Sequence, residues 1–219
     1  MFADRQEAGK RLAKRLMDLA DQRPVVLALP RGGVPVAFEI ARALSAPLDL
    51  VLVRKIGAPN QEELAIGAIA DGGHPELVTD PYLIGALHIS ADYLEEHKAA
   101  ALQELERRRQ VYLGDRAPVD IAGRTAIIVD DGIATGSTMR AALRATRRRL
   151  PARLVLAVPV APPHTMRALR REVDEAICLE TPADFPAVGL FYDHFPQLRD
   201  QEVINLLDRA RLFVRSDPT

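Results

Sequence analysis

A single cysteine, Cys178, excludes an internal disulfide, so no covalent cross-link of its own holds this chain together. It lies in the apolar run Ala176-Ile177-Cys178-Leu179, where a small buried residue is expected. Net charge is nearly absent too. Charged residues make up 27% of the 219, but acids and bases cancel to −1, which leaves no global field to gather nucleic acid or an acidic membrane. Any anion site must therefore be local. No apolar run approaches the ~18 residues of a membrane span. Asp4, Arg5, Glu7, Lys10 and Arg11 interrupt the stretch where a signal peptide would be apolar, so a cytoplasmic protein with no membrane partner is expected. The five histidines show no metal-ligand spacing, which argues against a zinc site. Neither Gly-x-x-x-x-Gly-Lys-Ser/Thr nor Gly-x-Gly-x-x-Gly occurs, and there is no internal repeat or low-complexity linker.

What is present is enough apolar residue, 48%, to bury a substantial core over the length of one α/β domain with additions. From Asp4 to Gln22, Ala8, Leu12, Leu16 and Leu19 recur at helical spacing, and Pro24 stops them. Val25–Leu29 is a short apolar run ended by Pro30-Arg31-Gly32-Gly33, and Val34–Leu44 is again helical. Leu48–Val53 then predicts a second buried strand. Strands that are apolar throughout, alternating with helices, indicate a parallel sheet covered on both faces. A polar, mobile loop is expected over Gly57–Glu62, followed by a third strand, Leu64–Ala70, ending at Asp71-Gly72-Gly73. Residues 80–114 stand out as a helical insertion capped by Ser90, with Leu94, Ala101, Leu105 and Tyr112 among many charges and a Glu104–Arg108 pair one turn apart. Such an arm is a candidate for packing on a second subunit, which makes a homodimer one expected assembly. A second strand–helix–strand unit follows, with strands Arg124–Val129, Arg153–Val158 and Val173–Leu179 and helices Gly136–Leu150 and Pro162–Arg171. Prolines 182, 186 and 196 interrupt the segment before a last helix, capped by Asp200, whose Val203, Leu206, Leu207 and Ala210 form an apolar stripe.

Ligands of open α/β sheets bind outside the carboxyl ends of the strands, and the pair Asp130-Asp131 falls at such an end. Adjacent carboxylates on an extended chain point to opposite sides, which suits a ligand offering two hydroxyls, or a hydroxyl and a hydrated Mg²⁺. A vicinal ribose diol meets that demand. The next residues, Ala134-Thr135-Gly136-Ser137-Thr138, bring hydroxyls and free backbone N–H groups to a helix N-terminus, a ready phosphate site. Either half alone could be a solubilising strand end or an ordinary helix cap; in unbroken order they specify a ribose bearing a 5′-phosphate.

This block, Val129-Asp130-Asp131-Gly132-Ile133-Ala134-Thr135-Gly136-Ser137-Thr138, resembles the 5-phosphoribosyl-1-pyrophosphate (PRPP) motif of the type I phosphoribosyltransferases. The resemblance implies an open, mainly parallel twisted sheet with helices on both faces, in a single domain over 1–219. It also implies a small hood over about 180–198 beside the C-terminal helix, 200–213. Further, it implies transfer of a 5-phosphoribosyl group from PRPP, with Mg²⁺, to a nitrogen nucleophile such as a nucleobase, releasing pyrophosphate. Asp130 and Asp131 would then hold the ribose hydroxyls and the Mg²⁺ shell, and residues 134–138 the 5′-phosphate. Arg31, Gly32 and Gly33 would grip pyrophosphate in a loop that in this family often holds a non-proline cis peptide. Arg54 and Lys55, expected to end the second strand, would neutralise the leaving group.

Phe185, Phe191, Tyr192, Asp193, His194 and Phe195 are the aromatic-dense patch of a chain with 5% aromatics. Phe191, Tyr192 and Asp193 could stack on and read a flat acceptor, or the patch could anchor the last helix. Relatives acting on 6-oxopurines commonly carry an aspartate where this chain has Ala134, which argues against hypoxanthine and guanine and leaves the acceptor open. A regulatory nucleotide sensor on the same fold is the alternative. Nucleic acid is not an expected partner, because Arg144, Arg147, Arg148 and Arg149, the strongest basic cluster, sit at a helix C-terminus where dipole compensation accounts for them.

Overall fold

The computed structural model describes residues 1–71 and 75–213. Its centre is a parallel five-stranded sheet made of β1 (Val25–Ala28), β2 (Leu48–Leu50), β6 (Thr125–Val129), β7 (Arg153–Val160) and β8 (Glu175–Glu180), in the order β2-β1-β6-β7-β8. The helices α1 (Arg5–Leu16), α2 (Gly33–Leu44), α5 (Ser137–Arg148), α6 (Pro163–Leu169) and α7 (Asp200–Ala210) cover it. Because successive strand residues face opposite ways, the sheet feeds two cores. Val26, Ala28, Ile127, Val129, Val155 and Ala157 pack with α1, α2 and α7. Val25, Leu27, Ala126, Ile128, Leu154 and Leu156 pack with α5 and α6. The all-apolar strands are thus buried on both sides, as their sequence predicts.

The segment after β2 departs from expectation. Leu48–Val53 is not one strand. Parallel pairing ends at Leu50, and Val53–Ala58 (β3) opens a separate antiparallel sheet with β4 (Gln61–Ala70) and β5 (Glu76–Thr79). The expected polar loop is therefore a tight hairpin, with Asn60 at φ 59°. Leu64–Ala70 belongs to this sheet and not to the central one. The expected stop at Gly72-Gly73 lies outside the described residues.

Residues 80–114 form α3 (Pro81–Ala86) and the 23-residue α4 (Ala91–Leu113), N-capped by the Ser90 hydroxyl, which accepts from the Tyr93 N–H at 3.1 Å. Its Ala101, Leu105, Tyr112 and Leu113 are buried in this chain's own core together with Ile56, Ile66, Val203 and Leu207. The arm therefore docks on its own chain through these residues. Helix α7 starts at Asp200, but its N-cap is Arg199, whose backbone N–H donates to Glu202 at 2.8 Å. That leaves the Asp200 carboxylate free for other work. Cys178 is half-buried in β8, and burial pushes its thiol up to about 11.

Candidate functional site

β1 and β6 are neighbours, with Ala28 opposite Val129, but the chain leaves them in opposite directions across the sheet: β1 connects to β2 and β6 to β7. Between them lies the crevice where open α/β sheets take ligands. The loop after β1 carries Arg31, Gly32 and Gly33, the turn after β6 carries Asp130 to Gly136, and the two touch. Leu29 N–H donates to the Val129 carbonyl at 2.9 Å. A Cβ built on Gly32 would stand 2.0 Å from Oδ2 of Asp131, and one on Gly33 would stand 2.7 Å from the Val129 carbonyl oxygen. No side chain larger than hydrogen fits at Gly32 while Asp131 holds this position. The Pro30–Arg31 peptide is cis.

The acidic pair is largely, though not fully, shielded from solvent. Burial first, and then the neighbouring Asp131 charge, hold the Asp130 carboxyl well above the usual carboxylate range. Burial raises Asp131 as well, opposed by the charge and hydrogen bond of Arg5. Arg5 Nε lies 2.8 Å from Asp131 Oδ2, with both side chains close to nine-tenths buried. The same guanidinium donates to the Pro196 carbonyl at 2.9 Å and lies 3.7 Å above the Phe195 ring. Arg5 is the residue that sequence reasoning missed. Its signal was available, because Arg5, Ala8, Gly9, Leu12, Ala13 and Leu16 are one buried face of α1, and a cation on an apolar stripe needs a buried partner.

Beyond the acids, Gly136 N-caps α5 at φ 83°, a left-handed conformation glycine adopts freely, and a Cβ there would meet Thr165 Cγ2 at 2.9 Å. Thr165 Oγ1 holds the turn by donating to the Ala134 carbonyl at 2.8 Å. Ala134 and Thr135 are exposed and Ser137 and Thr138 half-buried, so the hydroxyls and the first N–H groups of α5 face open space. That space is a cavity of about 560 Å³ between Thr135, Ser137 and Arg140 on one side and β4–β5 on the other.

Arg54 and Lys55 do not end a strand of the parallel sheet. They are exposed on β3 and line a different cavity, of about 800 Å³, with Thr138 and Arg108. They share a wall with Thr138, near the start of α5, but Arg31 lines another cavity.

The aromatic patch is a small core of its own. Phe2 pairs with the 191–193 segment, its N–H donating to Phe191 O at 2.8 Å and its carbonyl accepting from Asp193 N–H at 2.9 Å. Tyr192 is 6% exposed, its ring lies against Phe2 and Phe195, and its hydroxyl donates to the Asp131 carbonyl at 2.5 Å. It therefore props the acidic turn, and its burial disfavours, for Tyr192, the acceptor-stacking alternative of the two that the sequence left open. Phe191 is stacked on Phe185 and half-buried, and Asp193 is exposed. At the end of α5, Arg144 and Arg147 are engaged by Glu172 and Asp174, and Arg149 donates to the Val119 carbonyl at 2.5 Å.

The family profile described as Phosphoribosyl transferase domain matches residues 3–190. A Mycobacterium tuberculosis protein provisionally named a phosphoribosyl transferase is 46% identical over 210 residues, which are 96% of this chain and 47% of that protein. The chain thus spans about half the length of that curated relative. "Bifunctional protein PyrR" of Chloroflexus aurantiacus is 33% identical over 145 residues, 65% of this chain and 72% of that one. Among solved structures, TT1426 of Thermus thermophilus superposes with a TM-score of 0.82 at 44% identity, covering 94% of this chain and 97% of that one. With the strand order, the acidic turn and the profile in agreement, this chain belongs to the phosphoribosyl transferase family.

Proposed function

We propose that the chain acts as one phosphoribosyltransferase domain that binds PRPP with Mg²⁺ at the β1–β6 crevice and transfers the 5-phosphoribosyl group to a nitrogen nucleophile, releasing pyrophosphate. The observation that carries this reading is the contact between the two loops: Asp131 occupies the space where Gly32 lacks a side chain. A ribose held by the acids would therefore have its C1 substituent beside the Arg31–Gly33 loop and its 5′-phosphate toward Thr135–Thr138.

The residues divide the work. Arg5 neutralises Asp131 at Oδ2, while burial biases the Asp130 carboxyl toward its protonated form, so a cation or a donated hydroxyl proton arriving there would favour its ionisation. Both carboxylates are hard oxygen donors, and no cluster of three or more His, Cys, Asp or Glu side chains suited to a metal occurs among the described residues. This donor set fits Mg²⁺, which keeps several waters and is commonly shared between one or two carboxylates and substrate phosphates. When bound, the ion would lower the cost of charge on the departing diphosphate. The remaining catalysis is positioning and electrostatics, as the C1–O bond breaks and the C1–N bond forms. Arg31 faces the leaving diphosphate, and α5 holds the phosphate end. Phe191 and Asp193, at the rim of the hood, are the side chains left for the acceptor. The chain would work in the cytoplasm on small molecules, without a membrane or nucleic-acid partner and as a monomer or homodimer.

Calorimetric titration of PRPP with Mg²⁺ tests the reading. Asp130→Asn and Asp131→Asn should each weaken binding at least tenfold, roughly one lost charged hydrogen bond. Unchanged affinity in both would remove the proposal. Pyrophosphate release with a panel of free bases then separates the enzyme from a sensor, which would bind PRPP and release nothing.

A further inference from the structure

Helix α4 is an insertion, yet its Arg107 and Arg108 face the loop after β1. With Pro30, Arg31, Tyr112 and Asp200 they line a cavity of about 400 Å³. The second and third guanidiniums of this cavity come from α4, whereas Arg54 and Lys55 line the neighbouring cavity. Arg108 lines both, so it stands between the Arg31 loop and the Arg54-Lys55-Thr138 wall.

These cations are held by carboxylates. Glu104 accepts from Arg107 Nε at 2.8 Å and Nη2 at 3.0 Å, and from Arg108 Nε at 2.8 Å. The Arg107 hydrogen bond first, then that of Arg108, pull the Glu104 carboxyl down to about 2, so it is ionised at any working pH. Asp200 likewise accepts from the Tyr112 hydroxyl at 2.6 Å and lies 3.7 Å from Arg31 Nη1. Three guanidiniums thus face two carboxylates, leaving a net positive cavity against the loop that touches Asp131.

We propose that Arg108, assisted by Arg107, completes the diphosphate-binding half of the site by exchanging Glu104 for the pyrophosphate group of the bound donor. The inference rests on the phosphoribosyl-transfer reading and adds that the insertion, rather than the β3–β4 hairpin, brings the further cations to the Arg31 loop. A planar guanidinium can engage a phosphate through two parallel bonds as it engages a carboxylate, and a diphosphate carries more charge than the single carboxylate it displaces. Both arginines are partly exposed, 62% for Arg107 and 35% for Arg108, so they have room to turn.

Inorganic pyrophosphate and ribose 5-phosphate, titrated separately by calorimetry into the full chain, test this. Arg108→Met should weaken pyrophosphate at least about tenfold and leave ribose 5-phosphate within about twofold, and Arg108→Lys should restore part of the loss. Glu104→Gln, a substitution at a surface position, should tighten pyrophosphate about threefold or more by freeing both arginines. Pyrophosphate affinity unchanged in Arg108→Met, or not raised in Glu104→Gln, overturns the role of α4 while ribose 5-phosphate binding leaves the wider reading standing. A parallel loss of both ligands in Arg108→Met also overturns it, since that marks a structural effect. Failure of the unaltered chain to bind PRPP, ribose 5-phosphate or pyrophosphate overturns both.

Discussion

Replacing Arg5 with Met tests the electrostatic account of the acidic turn. The substitution keeps much of the side-chain volume but strands the Asp131 carboxylate, 13% exposed and already beside Asp130, without its cation. Removing one partner of a buried ion pair costs about 3–5 kcal/mol, because the other charge stays buried and uncompensated. The lost bond to the Pro196 carbonyl adds to this, while retained packing against Phe195 offsets part of it. A loss of about 4 kcal/mol at neutral pH should lower the melting temperature of a chain this size by roughly 10 °C.

The loss should also depend on pH. Without Arg5, the folded-state pKa of Asp131 rises further above its unfolded value. A carboxyl raised in the folded state contributes stability that is fully present below the unfolded pKa, near about 4, and lost as pH rises through the folded pKa. The deficit of Arg5→Met relative to the parent should therefore be largest at neutral pH and shrink toward pH 4. The double substitution Arg5→Met/Asp131→Asn should recover more than half of it, since position 131 then has no charge to be stranded. Urea denaturation of the three proteins at pH 4, 5.5 and 7.5 measures all of this. A deficit under about 1 kcal/mol, or one equal at every pH, would refute the argument.

Asp130→Asn should raise the melting temperature of the ligand-free protein at pH 7.5 by a few degrees, because folding resists the ionisation that this carboxyl undergoes freely in the unfolded chain; the gain should vanish below about pH 4, where it is protonated in both states. Gly32→Ala should displace Asp131 and weaken PRPP binding more than a hundredfold by calorimetry, far beyond the effect of an added methyl elsewhere in the loop. Gly136→Val should weaken ribose 5-phosphate binding and lower stability by about 2 kcal/mol or more, read by urea melts, since it meets both a positive φ and Thr165. Tyr192→Phe should cost about 1 kcal/mol in the same assay, the typical worth of one hydrogen bond, without changing acceptor preference.

The parallel core was legible because its strands carry the signature of two-sided burial, continuous apolar runs flanked by helical spacing. The change of sheet after Leu50 was not, because Leu50-Val51-Leu52-Val53 stays apolar across the break and periodicity cannot tell which partner a strand pairs with. The acidic and glycine-rich turns were readable as local order along the chain. The helix face of Arg5 signals that it needs a buried partner, but which partner it takes, and the burial of Tyr192, depend on pairings between distant segments, Arg5 with Asp131 and Phe2 with Tyr192, which no window of residues contains. The α4 arginines were visible only as helix-face charges until the fold set them against Arg31.

The seam between the N-terminal residues and residues 191–196 has a consequence for how the molecule comes into being. Arg5 reaches Asp131 across 126 residues and Pro196 across 191, and Phe2 meets Phe191 and Asp193 at the same junction. During synthesis the acidic turn leaves the ribosome well before residues 191–196 exist, so until then Arg5 has no Pro196 carbonyl or Phe195 ring to lock it in place. Contacts of such separation form late and slowly. The sheet can be finished while the acidic turn still lacks the seam that fixes its counter-charge, which makes completion of the crevice one of the last events in the life of the nascent chain.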